Sequence, residues 1–215
     1  MNMRDYRSKI YYGNFRKGRN GWGPGLIVLH TTEGSYEGSC NWFCSPKSGV
    51  SANFVVHTNG NVTYCVDIGD TAYANGTTFN SSDNRYYGKA TNPIVKKRNA
   101  NANFYSVSIE VVGNYDSKLD KCTMTPEQKS AVVEIILFIL REVKKRYNND
   151  IPVDRTRICG HYEVNPITKP FCGKGFPYDE IIKEVIKLKK WQCVGFAYCY
   201  TPWVQVEISA PFFLD

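Results

Sequence analysis

The sequence predicts a mixed α/β fold, a central mixed β-sheet flanked by helices, and three observations carry that reading. An uninterrupted apolar run at 26–29 reads as a strand buried on both faces. Two β-rich runs at 51–56 and 62–66 flank an Asn-Gly turn. A capped amphipathic segment begins at Thr125. Strands interleaved with one long helix and shorter ones require a sheet covered on both sides.

Each element has its own local reason. Leu26-Ile27-Val28-Leu29 shows no polar alternation, and His30 follows at its end. Thr58-Asn59-Gly60-Asn61 joins the next two runs, and an Asn-Gly pair in that setting marks a hairpin. Along 105–112, Val107, Ile109 and Val111 fall on one face and Ser106, Ser108 and Glu110 on the other, by the strand period of two. Glu110 therefore points away from an aliphatic face. Thr125-Pro126-Glu127-Gln128 supplies an N-cap, a proline at the first helical position and a capping-box glutamine. Apolar residues recur at 132, 135, 136, 139 and 143, so the helix should end near Tyr147, before Asn148-Asn149-Asp150. A short strand around 156–159, a loop carrying His161 and a helix over 178–190 complete the pattern.

With 215 residues, 42% hydrophobic and 14% aromatic, the chain can bury one substantial core. We read 1–190 as one domain and 191–215 as an aromatic-rich tail, either packed back on that domain or serving as a binding or assembly element. The tail carries Trp191, Phe196, Tyr198, Tyr200, Trp203, Phe212 and Phe213, and 204–208 alternates like a strand. No apolar run is long enough to span a membrane, and the N-terminal residues lack the apolar region of a secretory signal, so synthesis in the cytoplasm is expected. A net charge of +7 suits an anionic partner without choosing one. Lys96-Lys97-Arg98 and 141–146 read as solvated helix faces, because no aromatic-interleaved basic motif accompanies them and no nucleic acid is expected. The eight cysteines at 40, 44, 65, 122, 159, 172, 193 and 199 are expected to be mostly free thiols, and Cys40 and Cys44 to be small buried residues.

The chemistry gathers late in the chain. Cys159-Gly160-His161-Tyr162-Glu163-Val164-Asn165-Pro166-Ile167-Thr168-Lys169-Pro170-Phe171-Cys172 holds two potential metal ligands and a cation. With His30 these residues could form a His/His/Cys zinc site, since a catalytic zinc uses three protein ligands and an open position. Taken alone, either histidine would read better as a core residue satisfied by a backbone hydrogen bond; it is their pairing that favours ligation. His57, beside the hairpin turn, is expected at the surface.

The ordered set of His30 after a buried strand, Val50-Ser51-Ala52-Asn53-Phe54-Val55-Val56, Ser108-Ile109-Glu110-Val111-Val112-Gly113, and Gly160-His161 with Lys169 and Cys172 resembles the zinc-dependent N-acetylmuramoyl-L-alanine amidases. That group includes phage lysozyme-type amidases and peptidoglycan recognition proteins. The resemblance spans roughly 27–178 and implies a substrate groove over the sheet. It implies Zn2+ held by His30, His161 and Cys172, with Glu110 activating water and Lys169 stabilising the oxyanion. It further implies cleavage of the amide between N-acetylmuramic acid and L-alanine, with bacterial peptidoglycan as partner. Lack of a leader would suit a phage or prophage endolysin, acting on the wall after release.

The chain departs from the family pattern in places. Pro170 and Phe171 both lie between Lys169 and Cys172, where one residue is usual, so the loop must bulge or the lysine must reach differently. Asn53 and Asn75 stand where many relatives carry histidine, and Ala52 stands near a position that is tyrosine in some branches; these are read as substrate-facing positions. Two other classes compete with a zinc amidase: a non-catalytic peptidoglycan-binding module, and a cysteine-dependent cell-wall amidase or peptidase using His161.

Overall fold

The apolar run at 26–29 does form the central strand. In the computed structural model, which describes residues 2–194 and 205–207, all six residues of Leu26–Thr31 are buried. In chain order the strands are β1 Asn2–Asp5, β2 Phe15–Arg16, β3 Leu26–Thr31, β4 Phe54–Val56, β5 Val62–Tyr64 and β6 Thr71–Ala72. They continue with β7 Ser106–Val111, β8 Tyr115–Asp116, β9 Lys121–Cys122, β10 Ile158–Gly160 and β11 Gln205–Glu207. The helices are α1 Tyr36–Cys44, α2 Pro93–Arg98, α3 Pro126–Tyr147, α4 His161–Val164 and α5 Tyr178–Val194.

Seven strands pair in the order β10-β3-β7-β4-β5-β1-β11. β10, β3, β7 and β4 run parallel, β5 is antiparallel to β4, and β1 and β11 follow β5 in parallel. β2 with β6, and β8 with β9, make two small antiparallel pairs.

The period of two sorts this sheet into two faces. Ile27, Leu29, Phe54, Val56, Val107, Ile109 and Val111 pack against Val132, Ile135, Ile136, Ile139 and Val143 of α3 and Ile181 and Val185 of α5. Burying each of these apolar side chains contributes roughly 1.5–3 kcal/mol. On the other face Leu26, Val28 and Cys159 meet Val95 of α2, while Val55 meets Cys40 and Phe43 of α1. His30 and Glu110 belong to this second face, opposite the two long helices.

α3 starts as its sequence predicts. Thr125 Oγ1 accepts from Gln128 N (3.1 Å), Gln128 Oε1 accepts from Thr125 N (2.9 Å), and Asn148 closes the far end in the left-handed region at φ 49°. The hairpin strands are shorter than 51–56 and 62–66. Asn53 O accepts from both Cys65 N and Val66 N, so two residues face one, a bulge that ends the ladder. α1 has no counterpart in the sequence reading, α2 places the basic run 96–98 on a helix as expected, and α5 continues past 190 to Val194.

The six cysteines at 40, 44, 65, 122, 159 and 172 are free thiols. Of the tail, β11 pairs in parallel with β1 through Asn2↔Gln205, Met3↔Val206 and Arg4↔Glu207. The aromatic character assigned to 191–215 otherwise lies outside the described residues. Among the described residues, no helix is long and apolar enough to cross a membrane.

Candidate metal centre

Sheet register builds most of the site. β3 pairs with β7 so that His30 stands opposite Glu110, and with β10 so that Leu29 stands opposite Gly160. His161 is the next residue after Gly160, which brings it level with His30; the two rings lie 4.4 Å apart between centroids. This row lies at the carboxyl ends of parallel strands, where open α/β sheets place their ligands.

Cys172 arrives from a loop. Its carbonyl accepts from Tyr162 N (3.0 Å) and its N–H donates to Lys169 O (3.3 Å). Gly173, at φ +79°, lets the chain touch β3: a Cβ there would lie 2.5 Å from the Leu29 carbonyl oxygen. Cys172 Sγ then rests 3.7 Å from His30 Nδ1 and 3.8 Å from Thr31 O.

The donor atoms of His30, His161 and Cys172 all lie within 4.8 Å of one another. Tetrahedral ligands about 2.0–2.3 Å from a zinc ion would be separated by about 3.3–3.6 Å, so a small contraction suffices. Burial pushes both histidines toward neutrality, His30 to about 3 and His161 well below its ordinary value, with the Lys169 charge adding to the effect. The Cys172 thiol is pushed up, by burial first and then by Glu110. Burial also raises the Glu110 carboxyl to about 8, against the pull of Lys169. Glu110 Oε1 lies 3.6 Å from His30 Nδ1, but with both groups neutral this contact is no ion pair.

The loop absorbs the additional residue before Cys172 as a turn, closed by the Cys172 N to Lys169 O bond. Phe171 swings outward, 44% exposed, and stacks on Tyr115 with ring centroids 4.4 Å apart. Cys122 Sγ donates to Phe171 O (3.2 Å), so the β8–β9 hairpin clasps the ligand loop. Lys169 is exposed at the rim and acts on the buried groups by its charge. Just past β7, an open groove of about 650 Å³ is lined by Val112, Gly113, Tyr115, Lys118, Thr123 and Gln128.

Three positions read from the sequence as substrate-facing are interior instead. Ala52, Asn53 and Asn75 are fully buried. Asn53 donates to Val66 O (2.9 Å) and accepts from Ser108 N (3.0 Å), an internal tie between the hairpin and β7. Asn75 donates to Ser106 Oγ (2.9 Å) and Ser108 Oγ (3.2 Å). His161 Nε2 lies 3.1 Å from Asn165 Nδ2, a neighbour that sequence reasoning missed, although its spacing of four from His161 was a usable clue. His57 is partly exposed, edge-on to Tyr36 at 4.7 Å and away from the donor cluster.

A family model described as N-acetylmuramoyl-L-alanine amidase matches residues 21–173. N-acetylmuramoyl-L-alanine amidase A of Achromobacter lyticus is 42% identical over 41 residues, which are 19% of this chain and 23% of that protein. The chain thus matches less than a quarter of the length of that relative. Among solved structures, a selenomethionine derivative of AmpD superposes with a TM-score of 0.57 at 15% identity, covering 85% of this chain and 93% of that one. A mutant endolysin from Bacillus subtilis gives 0.52 at 14% identity over 86% and 98% of the two chains. The endolysin amidase LysCS from Clostridium intestinale URNW gives 0.50 at 16% identity over 86% and 95%. At these identities the structural likeness is one of fold.

Proposed function

Because the chain belongs to the N-acetylmuramoyl-L-alanine amidase family, we propose that it hydrolyses the amide between N-acetylmuramic acid and L-alanine in peptidoglycan, with zinc held by His30, His161 and Cys172. The observation that carries this reading is the convergence of those three donors within 4.8 Å of one another, beside the buried carboxyl of Glu110. The donor set is of a kind that catalytic zinc uses, and the histidines are held in the neutral form that a ligand requires. When bound, zinc supplies Lewis acidity that acidifies water and polarises a carbonyl.

The remaining chemistry falls to the protein. Glu110, which a bound cation's charge would hold in the ionised form, accepts a proton from the attacking water and returns it to the departing alanine amine. Lys169, at the rim, offers positive charge where the carbonyl oxygen becomes an oxyanion. The groove beside Gly113 and Tyr115 would hold part of the wall fragment against the sheet end. Likeness in fold to endolysin amidases supports placing the reaction in a phage or prophage lytic enzyme that meets the wall after release.

A thiol nucleophile is favoured less. Such cysteines sit where the thiolate is stabilised, whereas burial drives Cys172 the other way and leaves both histidines neutral beside it. A purely binding module would not need a complete donor set beside a buried carboxyl.

Mass analysis of digested peptidoglycan tests the proposal. New free L-alanine amino termini without new reducing sugars, abolished by a chelator and restored by zinc, are expected. New reducing ends, or activity indifferent to the chelator, would overturn it.

A further inference from the structure

His30 presents two ring nitrogens to different surroundings. Nδ1 faces Cys172 Sγ at 3.7 Å and Glu110 Oε1 at 3.6 Å, so Nε2 is turned away from the donor cluster. That Nε2 is buried and has no hydrogen-bond partner among the described residues. The Oδ1 of Asn75 is likewise buried and without a partner. Two unpaired polar atoms in a closed interior each carry a desolvation cost of about 1–3 kcal/mol unless they serve one another or a ligand.

The surroundings of Asn75 fix how its amide is turned. Its backbone N–H donates to Asn103 Oδ1 (2.6 Å), and its Nδ2 is spent on the hydroxyls of Ser106 and Ser108. Those serines lie on the same face of β7 as Glu110, and Ser108 stands opposite Val28, two residues before His30. With its nitrogen held over β7, the amide has only its oxygen left for the neighbouring histidine row. The Asn75 side chain also approaches the His30 ring itself.

We propose that Asn75 is the positioning residue of this site: its Oδ1 takes the Nε2–H of His30, so that Nδ1 keeps its lone pair turned toward Cys172 and the metal. As the chain stands neither atom has a hydrogen-bond partner among the described residues, and pairing them with one another satisfies both. The inference rests on the zinc reading above. It adds a residue outside the donor set that determines which nitrogen of His30 binds. Metal-bound histidines commonly have such an outer partner, and its loss typically weakens metal binding 10–100-fold.

Two substitutions separate this role from a structural one. Asn75→Asp keeps an acceptor toward His30 but loses the amide donor to Ser106 and Ser108, whereas Asn75→Leu loses both. In zinc-free wild-type protein, long-range 1H–15N correlations should show His30 protonated on Nε2. Zinc competition against a chelator should show Asn75→Leu about 10–100-fold weaker than wild type and Asn75→Asp within about threefold of it. His30 protonated on Nδ1, Asn75→Leu binding like wild type, or Asn75→Asp as weak as Asn75→Leu would each overturn the proposal. These readouts need no peptidoglycan, so failure of the amidase reaction would leave them intact. If wild type took up no zinc, the site reading would fall, while the tautomer would still decide the role of Asn75. Should Asn75→Leu not fold, the wild-type tautomer and the Asn75→Asp affinity remain decisive.

Discussion

Glu110 stands 3.6 Å from His30 with burial holding its carboxyl at about 8, above the ordinary 4.5. In zinc-free protein the folded state therefore keeps it protonated at neutral pH, while the unfolded chain ionises it. A raised carboxyl contributes stability that is full below about 4.5 and is lost as pH climbs toward about 8. Zinc-free Glu110→Gln should consequently melt above zinc-free wild type at pH 8, by on the order of 1–4 kcal/mol, and match it near pH 4. Equal melting at both pH values would contradict the buried, neutral carboxyl. The same variant should bind zinc normally and lose about 10²–10⁴-fold in kcat. Gly173→Ala tests the other side of the site, since a Cβ would meet the Leu29 carbonyl at 2.5 Å from an unfavourable φ of +79°. Displacement of Cys172 and weaker zinc binding are expected; wild-type affinity would mean the loop is not held by that contact. His30, His161 and Cys172 could be read as a possible donor set from residue type, and strand period put Glu110 on the polar face of its strand, but only the family resemblance joined the four. Asn75 could not, because what a buried amide does depends on which distant atoms surround it.

Among the elements, α3 carries the most explicit local instructions. Thr125 caps Gln128 N, takes part in the reciprocal box and donates to Thr58 O (2.8 Å), while Gln128 Nε2 donates to Val112 O (2.7 Å). The cap thus ties the helix start to the hairpin turn and to the segment after β7 that borders the groove. Thr125→Ala should cost about 1 kcal/mol, lowering Tm by roughly 2–4 °C, and Thr125→Ser should recover most of it. Neither variant should alter zinc affinity; a change there would mean the cap reaches the donor cluster. α1 escaped prediction for the complementary reason. Its sequence, Tyr-Glu-Gly-Ser-Cys-Asn-Trp-Phe-Cys, is poor in strong helix formers, and the helix is held by the Ser35 cap and by Cys40 and Phe43 packing against Val55. That packing exists only once the sheet has formed. β8 and β9, two residues each, left no periodic trace, yet they supply Tyr115 and Cys122 to the loop carrying Cys172.

For the whole molecule, alternation told which residues share a face but not which strands are neighbours. The site depends on that neighbourhood, since β10, β3 and β7 must lie side by side for His161, His30 and Glu110 to form one row. Only the resemblance anticipated it. The other edge of the same sheet gives the last test. β11 pairs with β1 through three residues, and removing it leaves the outer side of β1 unpaired, at the far edge from the β10–β3–β7 site. A chain ending at Val194 should therefore melt lower than the full chain. It should load zinc with unchanged affinity and cleave soluble muropeptides and whole walls in the original ratio, because the site sits across the sheet from the lost strand. If whole-wall activity instead fell against soluble-substrate activity while Tm held, the tail would be a wall-binding element working by proximity to an insoluble substrate. Measuring Tm, zinc affinity and that activity ratio on one truncation separates an element of the sheet from an element of targeting.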